Sequence, residues 1–237
     1  MEDNTNLNEK ISVWNKLINR DIDYSLISEK WNRGFSFLKP LMLEYPYIED
    51  LVIPNWRLLP IIGKSPDGDF WRRLSCSIFN VNMRLRPEKQ IDYLEERDYF
   101  HDLFGHTPIL FDSYYSNYMR ALGILGQFME DSDEAKKALS NIYWFTSEFG
   151  LVIEYNKTVA YGAGIISSTA ELKYALSPKS KKILMDTPFC PIHETLEWIA
   201  KRESYITDGF QDEYYVLNDW SQLDLIIAWL WHNYARV

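Results

Sequence analysis

The chain of 237 residues carries a formal net charge of −9, 16% aromatic residues and only two cysteines. No Lys/Arg-rich block offsets the acidity, which argues against general affinity for nucleic acid or an anionic membrane. Cys76 and Cys190 make no disulfide framework, so a reducing cytoplasm is the expected location.

The polar, acidic start "MEDNTNLNEK" is unlike a signal peptide. Leu7, Ile11, Trp14 and Ile18 follow the helical period and predict an amphipathic helix over the first twenty residues, part of a helical extension spanning 1–45. Pro40, Pro46, Pro54, Pro60 and Pro66 then predict loops and short pieces. In "CSIFNVNMRLR", Phe79, Val81, Met83 and Leu85 alternate with Asn80, Asn82, Arg84 and Arg86, the pattern of a half-buried strand. Helices are expected over Asp92–His106, Ser113–Met129 and Asp133–Tyr155. Two more should start at Ser168 and Ser221, where Glu171 and Asp224 stand three residues on, as in a capping box. "SYITDGF" and "EYYVLN" read as a short strand pair. The longest apolar run, "LIIAWLW", is far short of the roughly 20 residues of a membrane span. These elements predict one domain over 1–237, mainly α with a small peripheral β-sheet (α+β).

Half of the chain's four histidines fall in "HDLFGH". A separation of five rotates His101 and His106 by about 140° on an ideal helix, so they do not share a face. Gly105 and Pro108 can end the helix where the second imidazole must swing round to meet the first. Capping of helix-end carbonyls is the plainer use of such a pair. A metal needs a further ligand, and Glu148 stands out as one acid among Ile142, Tyr143, Trp144, Phe145 and Phe149. Pairing of a buried Glu148 with an arginine is its plainer use. Two His and one carboxylate form the facial triad of non-haem Fe(II) oxygenases; zinc fits less well without a nearby cysteine.

"FHDLFGHTP", "IYWFTSEFGL" and "AYGAGIISSTAEL" together resemble the tetrahydropterin-dependent aromatic amino acid hydroxylases, most of all the short bacterial phenylalanine hydroxylases. The resemblance runs from about residue 60 to residue 215 and implies that family's catalytic-domain fold. It implies iron ligation by His101, His106 and Glu148, with Tyr143 close to the metal and Ser167 supporting a ligating histidine. Arg86 then binds the substrate carboxylate through its planar fork, and Trp144 and Phe149 hold the substrate ring. Gly63 and its neighbours lend backbone contacts to the pterin, Phe70 stacks on it, and Asp102 contacts it through hydrogen bonds. "YGAGIIS" superficially resembles a dinucleotide fingerprint but lacks the third glycine and a preceding strand.

The chain departs from the family pattern in three places. Arg97 replaces the proline of a usual Glu-Pro-Asp in Glu96-Arg97-Asp98, and it either enters the ring pocket, points to solvent, or pairs with Glu95 or Glu96 at the surface. Thr169-Ala170 replaces a more usual residue followed by glycine, and Thr207 places a polar group at the far wall. The resulting expectation is a monomeric, cytoplasmic Fe(II) monooxygenase that uses tetrahydrobiopterin or a related pterin with O2 to convert phenylalanine to tyrosine. Tryptophan 5-hydroxylation and phenylalanine 3-hydroxylation are the alternatives within the class. A zinc hydrolase and a non-catalytic amino-acid-binding module lie outside it.

Overall fold

The computed structural model describes residues 7–46, 48, 51, 53–63, 65–91, 97–129, 131–207 and 209–235. Helix α1 (Leu7–Ile18) buries Val13, Trp14, Leu17 and Ile18. The expected stripe is thus displaced, with Leu7 and Ile11 exposed. Helix α2 (Glu29–Met42) starts at Ser28, whose hydroxyl accepts from Lys30 N, and tolerates Pro40 near its end.

The proline-punctuated stretch is more regular than expected. Strand β1 (Arg57–Ile61), helix α3 (Asp67–Ser75) and strand β2 (Ile78–Asn82) form a parallel β-α-β unit with Arg57 opposite Ile78. The alternation in β2 is real, with Phe79 and Val81 buried in the core. Asn80 and Asn82 are buried as well, because the polar face looks into a cavity rather than into solvent.

Of the helix expected over Asp92–His106, residues 92–96 lie outside the described residues. The remainder is a π-helical turn over His101–His106, followed by a 3-10 turn over Pro108–Phe111 and helix α4 (Ser113–Phe128). Helix α5 (Asp133–Tyr143) runs into a second π-helical turn, Trp144–Glu148. The helix expected to reach Tyr155 therefore ends early. It gives way to a hairpin of β3 (Leu151–Glu154) and β4 (Lys157–Ala160), turned by Tyr155 and Asn156 at φ 50° and 61°. Positive φ at both central residues matches the turn to the strands' right-handed twist, and Asn supplies it at low cost.

Helices α6 (Ala163–Ile166) and α7 (Thr169–Leu176), strand β5 (Lys181–Leu184), helix α8 (Ile192–Ala200), strand β6 (Glu213–Leu217) and helix α9 (Gln222–Tyr234) complete the order. Ser168 caps α7 as expected, accepting from Glu171 N at 3.2 Å. Ser221 makes no side-chain cap; its own N–H bonds Asp219 Oδ1 at 2.7 Å. The strand in "EYYVLN" is β6. It pairs in parallel with β3 and β5 instead of with "SYITDGF", giving a sheet ordered β4-β3-β6-β5. The β1–α3–β2 unit, the two π-helical turns and helices α5 to α7 line a cavity of about 560 Å³.

Candidate active site

The floor of the cavity is built on the two π-helical turns. Widening the backbone bond to i→i+5 places residues five apart one above the other. That brings the His101 and His106 ring centroids to 4.9 Å. The widened turn, rather than a helix stop at Gly105, solves the spacing problem. Gly105 serves a different purpose: a Cβ there would sit 2.9 Å from the Ala163 carbonyl oxygen, so its absence lets α6 approach. Trp31 Nε1 reaches the carbonyls of Phe104 and Gly105 at 3.1 and 3.0 Å, satisfying acceptors that the widened turn frees. In the second turn Phe149 N bonds Trp144 O at 2.9 Å. Gly162 then lets the chain pass Glu148, because a Cβ there would meet the Glu148 carbonyl oxygen at 2.4 Å.

His101, His106 and Glu148 offer ligand atoms that all lie within 4.8 Å of one another. His106 Nε2 is 3.1 Å from Glu148 Oε1, and His101 Nε2 is 3.4 Å from Oε2. His101 Nδ1 bonds Ser167 Oγ at 2.9 Å, which fixes the ring and directs Nε2 inward, where it is buried without a hydrogen bond. Burial pushes His106 down to about 4 against the pull of Glu148, so at neutral pH its imidazole keeps a lone pair to donate. Burial alone would raise Glu148; Arg97, His106 and His101 outweigh it and hold the carboxyl well below its usual range. Two imidazoles and an ionised carboxylate fit a divalent iron, and His101 Nε2, buried without a hydrogen bond, faces the same point.

Asp98, which the sequence reading passed over, organises the next layer. Its Oδ1 accepts from His101 N at 2.9 Å, capping the turn. Its carboxylate also takes the Arg86 fork, Nε and Nη2 each at 2.9 Å, and Arg86 N at 2.9 Å. Burial would raise Asp98, but Arg86 and these donors hold it below its usual value. Arg86 Nη1 reaches Ile91 O at 3.3 Å, which leaves one N–H on each terminal nitrogen for a ligand in the cavity that Arg86 lines.

Gly63 (φ 76°), Phe70 and Asp102 line the opposite side. Asp102 Oδ2 accepts from Asn82 N at 2.7 Å, and burial raises its carboxyl to about 6. Tyr143 stands edge-on to Phe70 at 5.5 Å and lies over the His106 ring at 6.4 Å. The far wall holds Trp144, Phe149 and Thr207.

The chain is similar to known proteins in sequence and fold. The family model for biopterin-dependent aromatic amino acid hydroxylases matches residues 52–228. The chain belongs to that family. It is 36% identical over 170 residues to the phenylalanine-4-hydroxylase of Ralstonia nicotianae, a match covering 71% of this chain and 51% of that one. The phenylalanine-4-hydroxylase of Pseudomonas aeruginosa is 30% identical over 219 residues, covering 89% and 79%. Among solved structures, Chromobacterium violaceum phenylalanine hydroxylase with bound iron(III) and 7,8-dihydrobiopterin superposes with a TM-score of 0.84 at 30% identity. That match covers 97% of this chain and 83% of that one. The chain thus spans about half the length of the Ralstonia relative in alignment, and most of the Chromobacterium fold.

Against the family pattern, Arg97 is the informative position. Its guanidinium enters the cavity: Nη2 is 2.7 Å from Glu148 Oε1, and the group lies 5.4 Å from the Tyr143 ring and 5.9 Å from Phe70. The surface pairing with Glu95 or Glu96 falls outside the described residues, and the observed partner is the buried acid.

The sequence reading also missed part of the far wall. Tyr205 stacks on Trp144 at 4.0 Å, and Gln211 Oε1 accepts from Trp144 Nε1 at 3.2 Å. Gln211 N in turn donates to Glu171 Oε1 at 3.3 Å, beside the Tyr214 hydroxyl, which donates to the same oxygen. Burial raises Glu171 to about 7. No local pattern announces these partners, which lie 40 or more residues apart in sequence.

Proposed function

We propose that this protein is a mononuclear non-haem Fe(II), tetrahydropterin-dependent monooxygenase that hydroxylates the ring of a free aromatic amino acid, converting phenylalanine to tyrosine. The buried His101–His106–Glu148 cluster beneath an aromatic-walled cavity carries the reading. Iron and a reduced pterin would together supply the two electrons and the oxygen activation that ring hydroxylation by O2 requires. His101, His106 and Glu148 would hold the metal, and Gly63, Phe70 and Asp102 the pterin.

The chain's own residues position and shield. Arg86 offers its two uncommitted N–H groups to the substrate carboxylate, and Asp98 keeps that guanidinium from turning away. Because the same Asp98 caps the turn carrying His101, the amino-acid anchor and the metal ligand are held by one carboxylate. Trp144 and Phe149, in contact at 4.9 Å between ring centroids, offer the ring one continuous aromatic surface, and Tyr205 backs the indole. Tyr143, buried and held protonated by that burial, closes the space over His106 and helps exclude water.

Among the described residues no helix is long and apolar enough to cross a membrane. A monomer in the reducing cytoplasm accords with the acidic charge and with the free thiols of Cys76 and Cys190. Aerobic turnover with Fe(II) and tetrahydrobiopterin against phenylalanine, tryptophan and tyrosine, with product isomers resolved by chromatography and mass, tests the activity. Tyrosine from phenylalanine is expected; release of hydrolysis products, or no product with any of the three, would refute it.

A further inference from the structure

We infer that Arg97 is a resident counter-ion of the metal-site carboxylate, one that loosens the grip of Glu148 on a divalent metal and biases bound iron toward its ferrous state. This rests on the iron reading above and adds a role that the ligand set alone does not contain.

The geometry is specific. Arg97 Nη2 stands 2.7 Å from Glu148 Oε1, the same oxygen that faces His106 Nε2 at 3.1 Å. The other oxygen, Oε2, faces His101 Nε2 at 3.4 Å. The Glu148 side chain is 2% exposed. The arginine is seated rather than stray. Its main-chain carbonyl accepts from Asn82 Nδ2 at 3.0 Å, and its head lies by the Tyr143 and Phe70 rings, which favour a cation.

Two consequences follow. A cation that hydrogen-bonds a ligand oxygen competes with the metal for that oxygen's lone pairs and also repels the incoming charge. A charge at such range typically changes an ionic equilibrium by about tenfold or more. The repulsion is greater for a trication than for a dication, so ferric iron is disfavoured relative to ferrous. In the metal-free protein the sign reverses. There Arg97 compensates a buried carboxylate, and removing it leaves that charge unpaired.

One substitution should therefore move two readouts in opposite directions, which a residue with a packing role alone would not do. Metal-free wild type, Arg97→Met, Arg97→Gln and Arg97→Lys would be titrated with Co(II), and anaerobically with Fe(II), by calorimetry. The metal-free proteins would be melted, and the ferric/ferrous potential measured on the iron-loaded forms. Arg97→Met and Arg97→Gln should bind metal at least about tenfold more tightly, melt lower without metal and show a lower potential. Arg97→Lys, which keeps the charge, should stay near wild type. Equal or weaker metal binding in both neutral variants, or an unchanged potential, would overturn the inference while leaving the iron reading intact. Failure of wild type itself to bind either metal would remove both.

Discussion

The floor and the far wall of the cavity are built on different principles. At the floor, His101, His106 and Glu148 are set by backbone geometry within two short turns, and His101 is held further by Ser167 and Asp98. At the far wall, the Trp144 side chain leaves the same turn that carries Glu148, but its indole is held by Tyr205 and by Gln211, which bonds it across 67 residues of sequence. The floor can tolerate little change, because the three side chains meet only while both turns keep their widened backbone. The wall is an assembly of ring faces and single hydrogen bonds, where substitution reshapes a surface without dismantling the chemistry.

The largest effect should come from breaking the floor. His106→Ala or Glu148→Gln should abolish stoichiometric iron binding and hydroxylation, while circular dichroism stays close to that of the metal-free parent. Iron content measured with turnover checks this, and a His106→Ala protein that retains both would dissolve the contrast. Next is the strut between floor and wall. Arg86→Lys loses the fork that Asp98 grips, so kcat/KM for the amino acid should fall by about 1.5–3 kcal/mol, with iron content normal.

A smaller effect concerns Glu171, which also lines the cavity. Its carboxyl is raised from 4.5 to about 7 by burial, so between those values the native state keeps a proton that the unfolded chain has released. Stability should then fall as pH rises through this window, by on the order of 3 kcal/mol. Glu171→Gln should flatten that dependence in denaturant melts from pH 4.5 to 8, and an identical slope in the variant would contradict the assignment. Smallest is the wall surface itself. Tyr205→Leu removes a stacked pair of roughly 0.5–1.5 kcal/mol and should raise KM a few-fold, leaving iron binding untouched in the same titrations.

The same contrast decides what could be read from the sequence. The ligands were legible because two histidines and one acid in apolar surroundings are rare in themselves, and the β2 alternation survived because strand period is local. The π-helical form of both turns was not legible, since no residue pattern distinguishes an i→i+5 bond from a helix end beside Gly105. The helix expected through Tyr155 failed where Gly150 and the Tyr155-Asn156 turn had the chemistry of a hairpin, outweighed in the reading by a continuous apolar run. Asp98 could have been found as a cap three residues ahead of His101. Glu171 and Gln211 could not, because their roles exist only once α7 and the segment before β6 are brought together. Arg97 was open in the sequence, and the structure resolves it toward the buried carboxylate.

The most direct test of the central claim is the origin of the oxygen. Phenylalanine turned over by the Fe(II)-loaded protein with tetrahydrobiopterin under isotopically labelled O2 should give tyrosine whose new hydroxyl carries the label, with one pterin oxidised per tyrosine formed. Unlabelled tyrosine, or product formed equally well without pterin, would contradict it.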